Sequence, residues 1–353
     1  MPASRLLLAL GLLTPTAASQ NVLIVDDDGG PGTDHASLEV ALAAAASGDV
    51  LVIRDGTYVL PAFPPVEVSG RALTLVGQGD PEVRGTLDVR DLASDQTFVV
   101  RGLRSSTHTF SVRGFSNAGH LWIEDSDLGA AETPEGFTVP CFVQDTASLQ
   151  LHRVTGLGAR FELPRTPLHA WHSSLHAEKL AQTALRIQDA DGYAAGSTFA
   201  GLAPGLGLRA IGNAEVRLLD STVSDWSGTI TFLPGTARSY RSLEGSVTEG
   251  EDFTLRAEGL PGDLVYVFGS TGAASIPDIG LSAPLVLRAP IAFGPVLLGT
   301  VPPSGVLDRV VTAPALPAGA EGQVTFSQAA VVTPGEGVLL AGASVLVILD
   351  AGP

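Results

Sequence analysis

Residues 25–58 read VDDDGGPGTDHASLEVALAAAASGDVLVIRDGTY, and how this stretch is read decides the fold. Its three consecutive aspartates, Asp26, Asp27 and Asp28, invite a metal site. A calcium loop of the EF-hand kind, however, needs oxygen ligands at loop positions one, three, five and twelve and glycine at six. Counted from Asp26, position five is Gly30, six is Pro31 and twelve is Ser37, so that pattern fails. The residues that follow are more orderly. Asp34 is placed to cap a helix, Leu38, Leu42 and Ala45 recur on one face, and Gly48 closes it. Strands are expected at Val22–Val25 and Asp49–Ile53, followed by the turn Asp55–Tyr58. A short amphipathic helix between two strands makes sense at the open end of a stacked β structure, where it would cover strand edges and core.

Outward from this segment, the whole chain has the composition of a turn-rich β protein. It holds 353 residues with 41 Gly and 24 Pro, is 45% hydrophobic, and only 16% of it is charged. The length accommodates two domains with proper cores. A net charge of −17, with no Lys/Arg-rich run to offset it, repels phosphate backbones and anionic membrane surfaces and argues against nucleic-acid binding. The N-terminal residues MPASRLLLALGLLTPTAAS carry Arg5, an apolar run from Leu6 to Leu13, and small residues at 16–19. This is the pattern of a secretory signal peptide over residues 1–19, cleaved after Ala18 or Ser19 and too short to span a bilayer. No other apolar run reaches spanning length, so the expected product is secreted or associated with the cell envelope, with no membrane span. Cys141 is the only cysteine, which rules out an intrachain disulfide and leaves packing to hold the exported chain together.

Internal periodicity supports stacked coils. The segments GHLWIEDSDL, SLQLHRVTGL, LHAWHSSL, YAAGSTF and EVRLLDSTV align on Ser126, Val154, Ser173, Ser197 and Ser221, at spacings of 28, 19, 24 and 24 residues. Gly102 and Gly79 extend the series upstream at 24 and 23. In each strand apolar and polar residues alternate, which places Leu121 and Ile123, Leu149 and Leu151, Leu168 and Ala170, and Val216 and Leu218 at inward positions. Seven or eight coils are expected between residues 20 and 243, stacked at roughly 4.8 Å. GAAETPEGFTVP is expected to bulge as a loop.

The order of strand, DDDGGPGTD, helix ending in AASGD, then VLVIRDGTY resembles the N-terminal cap and first coil of right-handed parallel β-helix proteins of the pectin-lyase type. That resemblance implies an all-β fold, a right-handed parallel β-helix with an N-terminal cap helix, and it carries no catalytic residue with it. From residue 244 to 353, short alternating runs separated by Gly/Pro turns point to a β-sandwich domain. Its Gly259–Leu349 segment is similar to C-terminal modules of exported proteins from high-GC environmental bacteria. This likeness implies a role in attachment, sorting or carbohydrate binding.

Catalysis on a β-helix needs a column of residues at equal positions in successive coils. The column before the aligned serines reads Asp125, Arg153, His172, Gly196 and Asp220. An arginine beside an imidazole and a carboxylate has the chemistry to bind a uronate and abstract a proton, or to protonate a glycosidic oxygen. The same column also reads as stacked turn residues with opposite charges paired. His169, His172 and His176 would suit zinc only on a helix, whereas LHAWHSSL reads as strand and turn, so no metal site is assigned. Asp189 and Asp191 in RIQDADG match the carboxylate spacing of polygalacturonase-type hydrolases, but the rest of that family's signatures are missing. The calcium-aspartate and paired-basic pattern of pectate lyases is missing too, and Lys179 has no evident partner. Trp122 and Trp171, with Asp189 and Asp191, are the candidate substrate contacts, the two tryptophans lying outward where their rings could stack on sugars. Packing under a loop or a second domain is the alternative for both rings.

Three functions stay open at this point. The leading one is a non-catalytic exported protein that binds polysaccharide or a cell-envelope component. The others are a polysaccharide lyase or glycoside hydrolase using Asp125, Arg153 and His172, and a purely structural surface spacer. No cofactor is expected, incidental calcium at Asp26–Asp28 being the alternative.

Overall fold

The computed structural model of the chain describes residues 20–351, apart from 106–108, 130, 133–137, 140, 158–160, 178–181, 203–204, 277–282 and 336. The segment read as a signal peptide and Lys179 lie outside the described residues. The structure is all-β with a single helix among the described residues, and its strands form a solenoid of about seven turns. The chain divides into two compact units, one spanning Leu23–Ala237 and the other joining residues 238–351 to 20–22. The division lies a few residues ahead of 243, because Ser239–Ser242 pairs antiparallel with Asp252–Glu258. No helix among the described residues is long and apolar enough to cross a membrane.

The helix, α1 (Leu38–Ala44), buries Leu38, Ala41 and Leu42 in the same core as Val25, Leu51 and Ile53. Asp34 does not cap it. Ser37 holds the N-cap position without a side-chain bond, and Asp34 Oδ2 instead accepts the Ile24 N–H at 2.8 Å. A cross-strand amide thus takes the carboxylate that the sequence offered to the helix.

Successive coils pair in parallel. Leu149 aligns with Leu121 on one side and Leu168 on the other, and Ala170 with Ala194, so the inward residues read from the alternation stack into one continuous core. Each coil bends at two rows of left-handed residues. The first row is Gly102, Asp125, Arg153, His172, Gly196 and Asp220, with φ between 47° and 70°. The second is Gly70, Asp91, Ser116, Asp145, Arg165, Asp189 and Gly212. A non-glycine residue in this region costs about 1–2 kcal/mol. Its recurrence in coil after coil shows that the bend is imposed by stacking.

Beside the first row runs a ladder of hydroxyls. Ser126, Ser173, Ser197 and Ser221 each donate to the carbonyl two residues back in their own coil, and each accepts a backbone N–H from the preceding coil. Asn117 and Thr166 do comparable work beside the second row, accepting the N–H groups of Leu92 and Thr146, while the Thr146 hydroxyl accepts from the Asn117 side-chain amide. Buried turn amides that the strands cannot satisfy are therefore met by small polar side chains. Within the region expected to bulge, Ala131–Glu132 pairs antiparallel with Thr138–Val139.

The second unit has a three-stranded antiparallel sheet and a five-stranded sheet. Tyr240, Phe253 and Leu255 from the first share a core with Val265, Val267, Leu346 and Ile348 from the second. A cavity of about 50 Å3 lies among these residues. That is well below the several hundred Å3 of a typical ligand pocket.

Candidate functional site

Stacking does bring Asp125 and Arg153 together, but as an ion pair. Arg153 Nε lies 2.7 Å from Asp125 Oδ1, and its Nη2 lies 2.6 Å from Oε1 of the fully buried Glu124. Arg101, also buried, approaches Asp125 at 3.3 Å and Glu124 at 3.6 Å. Burial works against the Arg153 charge, but the two carboxylates outweigh it and raise the guanidinium above its usual range. Two cations and two anions therefore close on one another along the turn row, with His172 one coil further on. Glu124 and Arg101 were not singled out from the sequence, although the same period-two alternation places them one residue before the turn.

Trp122 and Trp171 lie outside the core of the coils, as the alternation requires, yet both are fully buried and present no ring to solvent. They sandwich His152, with ring centroids 4.4 Å and 4.8 Å apart, and Tyr193 continues the stack. Trp122 Nε1 donates to Glu124 at 2.9 Å, which ties the stack to the ion cluster. His169 shares a hydrogen bond with Gln150, and burial, then the neighbouring charges of His120 and Arg217, pull it down to about 3. His152 is likewise held well below the ordinary imidazole range, first by burial and then by Arg153. His176 meets Ser174 at 2.6 Å on another strand, so the three histidines of the H-x-x-H-x-x-x-H run do not converge.

The remaining candidate carboxylates serve the coils. Asp189 accepts the Asn213 N–H and Asp191 the Glu215 N–H, each from the next coil. Asp26 pairs with Arg54, and Asp27 accepts the Thr57 N–H at 2.9 Å. Among the described residues, no three His, Cys, Asp or Glu side chains gather as metal ligands. The Cys141 thiol is buried, and burial pushes it up to about 11.

A different face is both polar-aromatic and partly open. Along the outward side of the sheet before the second turn row, Arg113 aligns with Asp88, Phe115 with Arg90 and Gln144, and Glu162 with Phe142 and Arg186. Phe115 and Phe142 pack with centroids 5.6 Å apart, and the guanidinium carbons of Arg90 and Arg113 lie 4.8 Å and 5.4 Å from the Phe115 ring. Buried Asp88 fixes both arginines, accepting from Arg113 Nε at 2.6 Å and Nη2 at 2.7 Å and from Arg90 Nη2 at 3.1 Å. Arg113 Nη1 stays free of that fork. The sequence signal for this face, the outward positions of VRGF, CFVQ and LRIQ, becomes visible only when the first strand of each coil is aligned as well as the second.

The chain matches no protein-family model and no curated protein.

Proposed function

We propose that this chain is an exported, non-catalytic protein that binds a polysaccharide of the extracellular space or cell envelope along the face formed by Arg90, Arg113, Phe115, Phe142 and Gln144. The observation that carries this reading is the pair of half-buried phenyl rings flanked by arginines that Asp88 holds in place. Ring faces match the apolar faces of sugars, and fixed N–H groups match their hydroxyls or carboxylates. The coil spacing of ~4.8 Å sets these side chains next to one another along the face. In the same reading the solenoid is a right-handed parallel β-helix of the pectin-lyase type, α1 is its cap, and the second unit is a β-sandwich. Export rests on the N-terminal sequence.

The non-catalytic part of the proposal rests on the turn row, where Arg153 is engaged by both Asp125 and Glu124. The experiment is calorimetric titration of the mature protein with acidic and neutral polysaccharides, alongside assays for unsaturated products and new reducing ends. Expected is binding without turnover, weakened about tenfold or more (about 1.4 kcal/mol) by Phe142→Ala in a protein that still melts cooperatively. Absence of binding across the panel, or turnover abolished by Arg153→Ala, would overturn the proposal. Turnover would restore the lyase or hydrolase reading.

A further inference from the structure

The two ends of the solenoid are finished differently. At the first, α1 buries its apolar face in the core. At the last, strand Thr229–Leu233 pairs with Glu215–Leu219 along one edge. In that register Ile230 aligns with Val216 and Phe232 with Leu218, while Trp226 aligns with Leu208 one strand earlier. Val216, Leu218 and Leu208 belong to the core, so Ile230, Phe232 and Trp226 occupy inward positions of the last coil of this unit. Trp226 is 47% and Phe232 52% exposed, with their rings edge to face at 5.3 Å.

Edge strands in monomeric proteins are protected by charge, proline or a bulge. From Trp226 to Leu233 the sequence is WSGTITFL, without one charged residue or proline, in a chain of net charge −17. The segment TITFL is also self-complementary. Turned about Thr231, it sets each inward Ile230 opposite an inward Phe232. We infer that the last coils of two copies join end to end, strand Thr229–Leu233 pairing antiparallel with itself about Thr231, so that Ile230 faces the partner's Phe232 and the two cores become continuous. Such an interface is isologous and closes at two copies. The other end, capped by α1 in the reading above, offers no matching edge for a filament.

Sedimentation equilibrium of the mature full-length protein over a wide concentration range tests this. Expected is twice the single-chain mass for the wild type and a twofold drop in mass for Phe232→Glu. The new carboxylate is tolerated in a single copy because position 232 is half exposed there. Thr231→Cys should form a disulfide-linked dimer on oxidation, whereas Thr222→Cys, exposed on another strand, should not. Wild type at single-chain mass throughout, a dimer that survives Phe232→Glu, or Thr231→Cys that stays unlinked would each overturn the inference.

Discussion

Arg153 reaches back one coil to hold Asp125 Oδ1 at 2.7 Å and, with the same guanidinium, Glu124 Oε1 at 2.6 Å. Glu124 has no solvent exposure, so its charge depends on this partner and on Arg101. Arg153→Met is expected to lower unfolding free energy by about 3 kcal/mol, in the range for stranding a buried charge. Glu124→Gln combined with Arg153→Met should cost less than Arg153→Met alone, because no charge is then left unpaired. Urea denaturation of the wild type and the two variants measures both effects. A loss below about 0.5 kcal/mol for Arg153→Met would place the pair with exposed surface bridges instead.

The buried imidazoles give stability a definite pH dependence. His169 titrates near 3 in the folded chain and at the ordinary 6.5 when unfolded. Between those values the unfolded chain holds a proton that the folded one refuses. The contribution is therefore complete above about 6.5 and is lost as pH falls toward 3, at about 1.4 kcal/mol per pH unit. His152, lowered for the same first cause, adds in the same direction. Urea midpoints at pH 7 and pH 5 should converge for His169→Gln relative to wild type. An unchanged slope would assign the proton uptake to other groups.

The hydroxyl ladder predicts a local defect from a small substitution. Ser197 Oγ accepts the Ser173 N–H at 3.1 Å and is buried. Ser197→Ala leaves that amide without its acceptor and should cost about 1–3 kcal/mol. Hydrogen exchange at the Ser173 amide should accelerate more than at coils further away. Uniform acceleration, or none, would show that the ladder does not carry the turn.

Legibility followed the chemistry of each position. The serine spacing was visible in the sequence because one side-chain type performs one task, receiving a turn amide, in four coils. The second row of bends was not visible, because Asp91, Ser116, Asp145 and Arg165 share a backbone conformation and no side-chain chemistry. Phe115 and Phe142, far apart in sequence, meet only when strands stack. Alternation placed Trp122 and Trp171 outside the core, but it could not say that this side is buried.

By itself, then, the sequence determined what is periodic: the strands, the inward residues of each coil, and the row in which Asp125, Arg153 and His172 stand. These follow from neighbours along the chain and from a repeat near 24 residues, which the backbone must obey in every coil. The tertiary structure alone decided which charges meet. Whether Arg153 is a reagent or a partner depends on Glu124 and Asp125 lying within hydrogen-bond reach one coil away, with water excluded, and neither distance nor burial is written in the order of residues.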